Sequence, residues 1–305
     1  MKESLRALLH GLIDYAGLFP PASLPLGPAL ANYARYRREP EQWLLGRFIL
    51  PAGQLAALND ELMAWFTPEQ PLPLALLYAS GSADKLAWDA ARVRYGERLR
   101  LEALEMRLPA EGKAAAFLAA SREALDSAEF SSLPIFHELP FNAAWDARLE
   151  PAIAALAEHQ AQRGAPTGFK LRCGGLTPET VPTATQVARV LALCRDYGLP
   201  LKATAGLHHP LPRYDPAVGT TLHGFLNLFG GGLLAHSCRL SQADLATLLM
   251  EENPARFRLT DVTFGWGQWQ VTLAQIETLR RTALIAYGSC SFDEPRDDLR
   301  GLGWL

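Results

Sequence analysis

Two lysines, Lys170 and Lys202, stand in short blocks of similar design. The first block reads Gly168-Phe169-Lys170-Leu171-Arg172-Cys173-Gly174-Gly175. The second reads Pro200-Leu201-Lys202-Ala203-Thr204-Ala205-Gly206-Leu207-His208-His209-Pro210. In each, apolar residues flank the lysine and a glycine-containing loop follows, as where a strand runs out into a turn. Strand alternation puts Lys170 and Arg172 opposite Phe169 and Leu171, and Lys202 and Thr204 opposite Leu201 and Ala203. If the apolar side packs under helices, the lysines face inward. Burying a lone ammonium costs several kcal/mol unless it is paired or loses its proton. A second lysine beside it disfavours the charge further, and a depressed amine pKa yields a nucleophile near neutral pH.

The intervening residues, 182–197, have helical periodicity, with Val187, Val190, Leu191 and Cys194 on one stripe. Strand, helix and strand with short loops form a βαβ unit whose strands are parallel neighbours. That sets Lys170 beside Lys202.

The same rhythm runs through the whole chain. Strands beginning near residues 12, 47, 73, 100, 133, 167, 200 and 259 are each followed by a helical pattern. The last strand is expected over 257–264, the last helix over 273–286, and 288–295 as a loop. A longer region after strand seven, about 211–253, is broken by Gly230, Gly231 and Gly232 and reads as an insertion that could cover the site. Strict alternation with near-continuous apolar strands argues an α/β fold with a parallel sheet under helices. Eight units in 305 residues favour one closed (β/α)8 barrel, residues 1–305, over an open sheet. No GxGxxG opens a helix after the first strand, and no GxxxxGK[ST] occurs.

In such a barrel, active-site groups sit where strands run into the following loops. Polar residues recur there: Asp14, Ser80, Glu105 with Arg107, His137 with Glu138, and the two lysine strands themselves. Arg172 and Lys202, with Gly174, Gly175 and Gly206, offer charge and exposed backbone N–H groups for a carboxylate or phosphate. Thr204, His209, Asp14, Arg107, His137 and Glu138 complete the expected binding set, with His208 or Glu105 moving protons.

The lysine pair resembles the class I aldolases of the deoxyribose-phosphate aldolase type. Those barrels carry a Schiff-base lysine on strand six and a second lysine on strand seven, each followed by small residues and glycine. The resemblance covers residues 168–210. It implies that Lys170 forms the imine, that Lys202 lowers its pKa, and that Glu105 stands where the family uses an aspartate. Arg172 and the His208–His209 pair are not part of the family pattern.

Two other readings stay open. His208, His209, His137, Glu138, Asp14 and His223 supply imidazole and carboxylate for a divalent metal. No HxH or HExxH spacing supports it, and adjacent histidines on an extended segment point opposite ways. Alternatively, Glu105 and Glu138 neutralise the lysines in a barrel that binds an anion without chemistry. The expectation is a site without metal or other cofactor. Ser289, Cys290 and Ser291 have no partner in sequence for nucleophilic catalysis, and Trp266 and Trp269 could line a pocket or pack at the rim.

Composition bounds the rest. With 49% hydrophobic and 20% charged residues, the chain has ample material for a core. A net charge of −3 with dispersed lysines and arginines gives no reason to expect a nucleic-acid partner. Four cysteines without paired spacing read as reduced thiols, which suits a cytoplasmic protein. Residues 1–19 carry Lys2, Glu3, Arg6, His10 and Asp14, so no signal peptide is expected. No run of about 18 apolar residues suggests a membrane span. The expected partner is a small anionic carbonyl metabolite and the expected chemistry that of a carbon–carbon lyase, in a chain free to form a homo-oligomer.

Overall fold

The computed structural model describes residues 1–79, 82–125, 130–164 and 166–305. Eight parallel strands close into a barrel in the order β1-β13-β7-β6-β5-β4-β3-β2. They are β1 (Ile13–Tyr15), β2 (Leu45–Pro51), β3 (Leu72–Leu77), β4 (Leu99–Arg107), β5 (Ile135–Glu138), β6 (Thr167–Arg172), β7 (Leu201–Thr204) and β13 (Leu284–Ser289). Between β7 and β13 lie the hairpin β8 (Arg213–Asp215) and β9 (Thr220–Leu222), and the antiparallel sheet β10 (Phe257–Leu259), β11 (Thr263–Trp266) and β12 (Trp269–Thr272). The chain is an α/β (β/α)8 barrel of a single domain.

The eighth strand is not where the sequence pattern places it. Residues 257–264 fall in β10 and β11, outside the barrel, and Leu284–Ser289 closes the ring between β1 and β7. The helix before it ends at Thr282, and Asp293–Gly301 is a helix where a loop is expected. Trp266 and Trp269 face each other across the two-residue turn between β11 and β12, with Gly267 at φ 56° supplying its left-handed position. Their rings stack at 5.5 Å, so they staple a hairpin and do not line a pocket at the barrel mouth. The expected insertion likewise extends further, since the whole connection between β7 and β13 runs over residues 205–283.

The three glycines at 230–232 lie inside the helix Phe225–Cys238 and do not break it. A Cβ at Gly230 would stand 2.4 Å from the Phe264 ring, and one at Gly232 2.7 Å from Leu284. They let this buried helix pack closely between the outer sheet and the barrel. Other strands are covered more conventionally, by aliphatic and aromatic side chains such as Tyr33, Phe48, Phe66 and Leu156. Each such burial contributes roughly 1.5–3 kcal/mol. At the amino-terminal end, the buried Arg280 guanidinium donates to the carbonyls of Leu8 (2.7 Å), His10 (3.0 Å), Ile285 (2.7 Å) and Leu284. Those bonds knit the segments flanking β1 and β13. Among the described residues, no helix is long and apolar enough to cross a membrane.

Inside the barrel, the apolar cluster is small: Ala16, Ile49, Ala75, Ala103 and Phe136. Charged side chains from β1, β4, β5, β6 and β7 share that interior with it.

Candidate active site

The inward face of β6 follows from alternation. Phe169 and Leu171 are buried outward under helices, while Gly168, Lys170 and Arg172 face the barrel axis. Gly168 has to be small, because a Cβ there would meet the Phe136 ring at 2.5 Å. On β7, Lys202 and Thr204 face inward, and Lys202 is the register partner of Lys170. The two amines are neighbours, as the βαβ reading requires.

Three carboxylates from three other strands meet them. Glu105 on β4 receives Lys170 Nζ on Oε2 at 2.7 Å and Lys202 Nζ on Oε1. Glu138 on β5 receives Lys170 Nζ at 3.1 Å on one oxygen and Arg172 Nε at 3.0 Å on the other. Asp14 on β1 receives Lys202 Nζ at 2.6 Å, while its other oxygen accepts the Arg47 backbone N–H at 2.6 Å. The result is a row of alternating charges, Asp14–Lys202–Glu105–Lys170–Glu138–Arg172. It starts in the barrel interior and ends at the mouth.

The row is graded in exposure. Asp14 and Lys202 are 0% exposed, whereas the Arg172 side chain is 41% exposed. A cavity of about 770 Å³ opens above, with Glu105, Glu138, Lys170 and Arg172 on its floor and wall. Lys202 and Asp14 do not reach it. Asp14, expected to touch substrate, is a buried counter-ion for Lys202 instead.

These contacts reverse an electrostatic expectation. Burial alone would lower the Lys170 pKa, but Glu105 and Glu138 outweigh it and raise the pKa above the ordinary ammonium range. The neighbouring lysine therefore does not leave Lys170 neutral. Burial alone would raise Glu105, but Lys170 and Lys202 outweigh it and hold the carboxyl at about 2. Glu138 is likewise pushed up by burial and brought below the usual range by Lys170 and Arg172.

The remaining expected residues divide. Arg107, Gly175, Thr204, Gly206 and His208 line the cavity. Arg107 is exposed and makes no ion pair among the described residues. Gly174 sits behind the wall, its Cα back to back with that of Gly206, so the loops after β6 and β7 touch through backbone. His208 Nδ1 lies 3.2 Å from a Glu294 carboxylate oxygen, an interaction that orients the ring at the cavity wall. His209 is not in the cavity and pairs with Asp298 at 2.5 Å. His137 points outward to the helix Trp145–Arg163, its ring 6.5 Å from that of His159. Burial, with His159 and Arg163 nearby, pushes it down to about 3. It faces away from the site because Phe136 and Glu138 take the inward positions of β5. His223 bonds the Pro182 carbonyl at 2.6 Å. The histidines thus do not converge, and among the described residues no three His, Cys, Asp or Glu side chains are placed to hold a metal ion. Ser80 lies outside the described residues.

Ser289 and Cys290, at the end of β13, line the cavity as well, though burial raises the Cys290 thiol pKa. Sequence reasoning missed Arg47, the second basic partner of Asp14, and the acidic pair Glu294 and Asp298 that meets the two histidines. Arg47 was findable: it shares the inward parity of Ile49 on β2. The acidic pair was not: the pattern reads as a loop over 288–295, which takes in Glu294, and offers no element for Asp298. No protein-family model, curated protein or solved structure matches this chain.

Proposed function

We propose that the barrel is a carbon–carbon lyase of aldolase type, with Lys170 as the amine that condenses with a substrate carbonyl. The observation that carries this reading is the position of Lys170 Nζ. It reaches the cavity floor and touches two carboxylates, while the lysine next to it shares one of them from beneath. The resemblance to the deoxyribose-phosphate aldolase type points to the same residue, with Glu105 in place of the family's aspartate.

The chemistry starts from an ion-paired amine. Lys170 becomes a nucleophile when its proton passes to Glu105, 2.7 Å away, or to Glu138. The free amine adds to the carbonyl carbon, and the carbinolamine loses water to give a cationic imine. A base removes the proton of a hydroxyl two carbons from the imine carbon. The intervening carbon–carbon bond then breaks, its electron pair moving onto the imine to leave an enamine and a free carbonyl product. Protonation of the enamine carbon and hydrolysis return Lys170. Glu105 and His208, both on the cavity lining, would move these protons, and Lys202 would stabilise the Glu105 anion.

A second reading rests on the charge balance of the row. Each lysine already has carboxylate partners, and the raised pKa of Lys170 suits a barrel that binds an anion at Arg107 and Arg172 without covalent chemistry. Borohydride reduction separates the two. Incubated with small aldehydes and 2-oxo acids, the protein should gain a reduced adduct at Lys170, absent in Lys170→Met. No adduct, or one confined to Lys202 or surface lysines, would overturn the lyase reading in favour of the second.

A further inference from the structure

The cavity has two unlike sides, and strand order decides which is which. Lys170, Glu105, Glu138 and Arg172 all belong to β4, β5 and β6, which are consecutive in the ring. The opposite arc, β1 to β3, faces the cavity with Ala16, Ile49 and Leu77, capped by Phe19, Pro20 and Pro21 from the loop after β1. Val218 and Leu222 of the β8–β9 hairpin region and Leu176 from the loop after β6 extend apolar surface over the mouth. Of the uncharged polar side chains on the lining, Thr204 and Ser289 belong to β7 and β13, off that arc, and Tyr78, just after β3, packs its ring against Phe130. A polyhydroxylated substrate would leave its hydroxyls unpaired along that arc, at a cost for each one buried.

The charged side has a matching polarity of its own. Lys170 and Arg172 stand two residues apart on one face, so their Cα atoms are roughly 6.6 Å apart along the strand. A carbonyl at the amine and a carboxylate a short step away reach both groups. The Arg172 guanidinium gives Nε to Glu138 and makes no other bond among the described residues, and Arg107 adds a second guanidinium on the lining, without an ion pair among those residues. We infer that the site takes amphipathic oxo acids: a carboxylate on the guanidinium groups, a carbonyl at Lys170, and a hydrocarbon tail against the β1–β3 arc. This rests on the reading of Lys170 as the carbonyl-facing amine, but the tail site itself is a matter of shape and lining.

Calorimetric titration of the full chain with straight-chain 2-oxo acids of three to eight carbons tests it. Each added methylene should lower Kd about fourfold, the equivalent of burying one CH₂. Leu77→Thr should flatten that slope, and Leu176→Ser, at an exposed position, gives a variant whose folding is not at stake. A Kd indifferent to chain length, or tighter binding of analogues of equal length hydroxylated further along the tail than the carbon two from the carbonyl, overturns the inference. Borohydride adducts measured on the same acids keep the two levels apart. An adduct at Lys170 with no chain-length dependence removes the tail site and leaves the amine chemistry standing. A fourfold slope without any adduct supports the tail site and removes the amine chemistry.

Discussion

Lys170 and Lys202 are register partners on adjacent strands, yet Lys170 alone of the two reaches the cavity. Lys202 lies beneath it, fully buried between Asp14 and Glu105. Sharing Glu105 ties the two ammonium groups to one carboxylate, so the charge state of each depends on the other. The division of labour is positional: one amine is accessible, and the other holds the accessible one's counter-ion in place.

That division predicts unequal costs of substitution. Lys202→Met leaves Asp14 and Glu105 short of a cation where no water reaches, and should destabilise the chain by roughly 3–5 kcal/mol. Lys170→Met should cost less, about 1–2 kcal/mol: each variant leaves its carboxylates one cation apiece, but Lys170 and Glu138 border the cavity, whereas Lys202 and Asp14 are sealed beneath it. Urea unfolding midpoints of the two variants provide the comparison. Equal losses would contradict the graded burial of the row.

The acidic groups make stability depend on pH in a defined direction. Glu105 sits at about 2 in the folded chain against 4.5 unperturbed, so the folded state binds its proton less tightly than the unfolded state. Its contribution is therefore complete above pH 4.5 and is lost as pH falls towards 2. A lowering of that size is worth on the order of 3 kcal/mol, and Glu138 acts in the same direction. Lys170 has the opposite sign: its contribution is complete below 10.5 and fades as pH climbs through its raised value. Unfolding free energy should form a plateau around neutrality with a steep acid limb between pH 4.5 and 3. Glu105→Gln should remove much of that limb.

Most of this arrangement was legible from local pattern. Period-two alternation fixed which side of β6 and β7 the lysines occupy, and short loops around the helix of residues 182–197 made the strands neighbours. What alternation cannot supply is the identity of groups brought in by distant strands. Glu105 was visible as a strand-end carboxylate, but that it touches both amines depends on barrel closure. The sign of the Lys170 shift followed from that contact and so was read the wrong way. The eighth strand was missed for another reason. Leu284-Ile285-Ala286-Tyr287-Gly288-Ser289 follows a helix without a break signal, while residues 257–264, moderately apolar, do form extended structure, but as β10 and part of β11, paired antiparallel in a different sheet. His137 shows the limit of parity reasoning when the inward positions of a short strand are not known in advance.

The loops that frame the cavity touch through bare backbone, which makes Gly174 sensitive to the smallest enlargement. A Cβ there would stand 2.6 Å from the Gly206 Cα and 2.9 Å from its nitrogen, neither of which can swing aside. Gly174→Ala should cost more than roughly 2 kcal/mol or displace the loop that carries His208. Gly53→Ala, with nothing within 4 Å and no left-handed φ, should change stability by less than about 0.5 kcal/mol. Thermal unfolding of the pair checks the contrast.

Glu105 also governs how readily Lys170 gives up its proton. Replacing it by glutamine removes the anion 2.7 Å from Lys170 Nζ and leaves the Lys202 ammonium next door without that shared counter-ion. Both changes disfavour the charged amine, so the Lys170 pKa should fall, by roughly one unit or more. Acetic anhydride labels amines only when they are neutral, so the pH dependence of labelling at the peptide containing Lys170, read by mass spectrometry, reports the shift. In Glu105→Gln the alkaline rise in labelling should move to lower pH. Glu138→Gln should move it the same way by less, because Glu105 lies closer to Lys170 and remains in place. An unchanged titration in Glu105→Gln would mean that the carboxylate does not hold the amine charged, and proton transfer between the two would lose its basis.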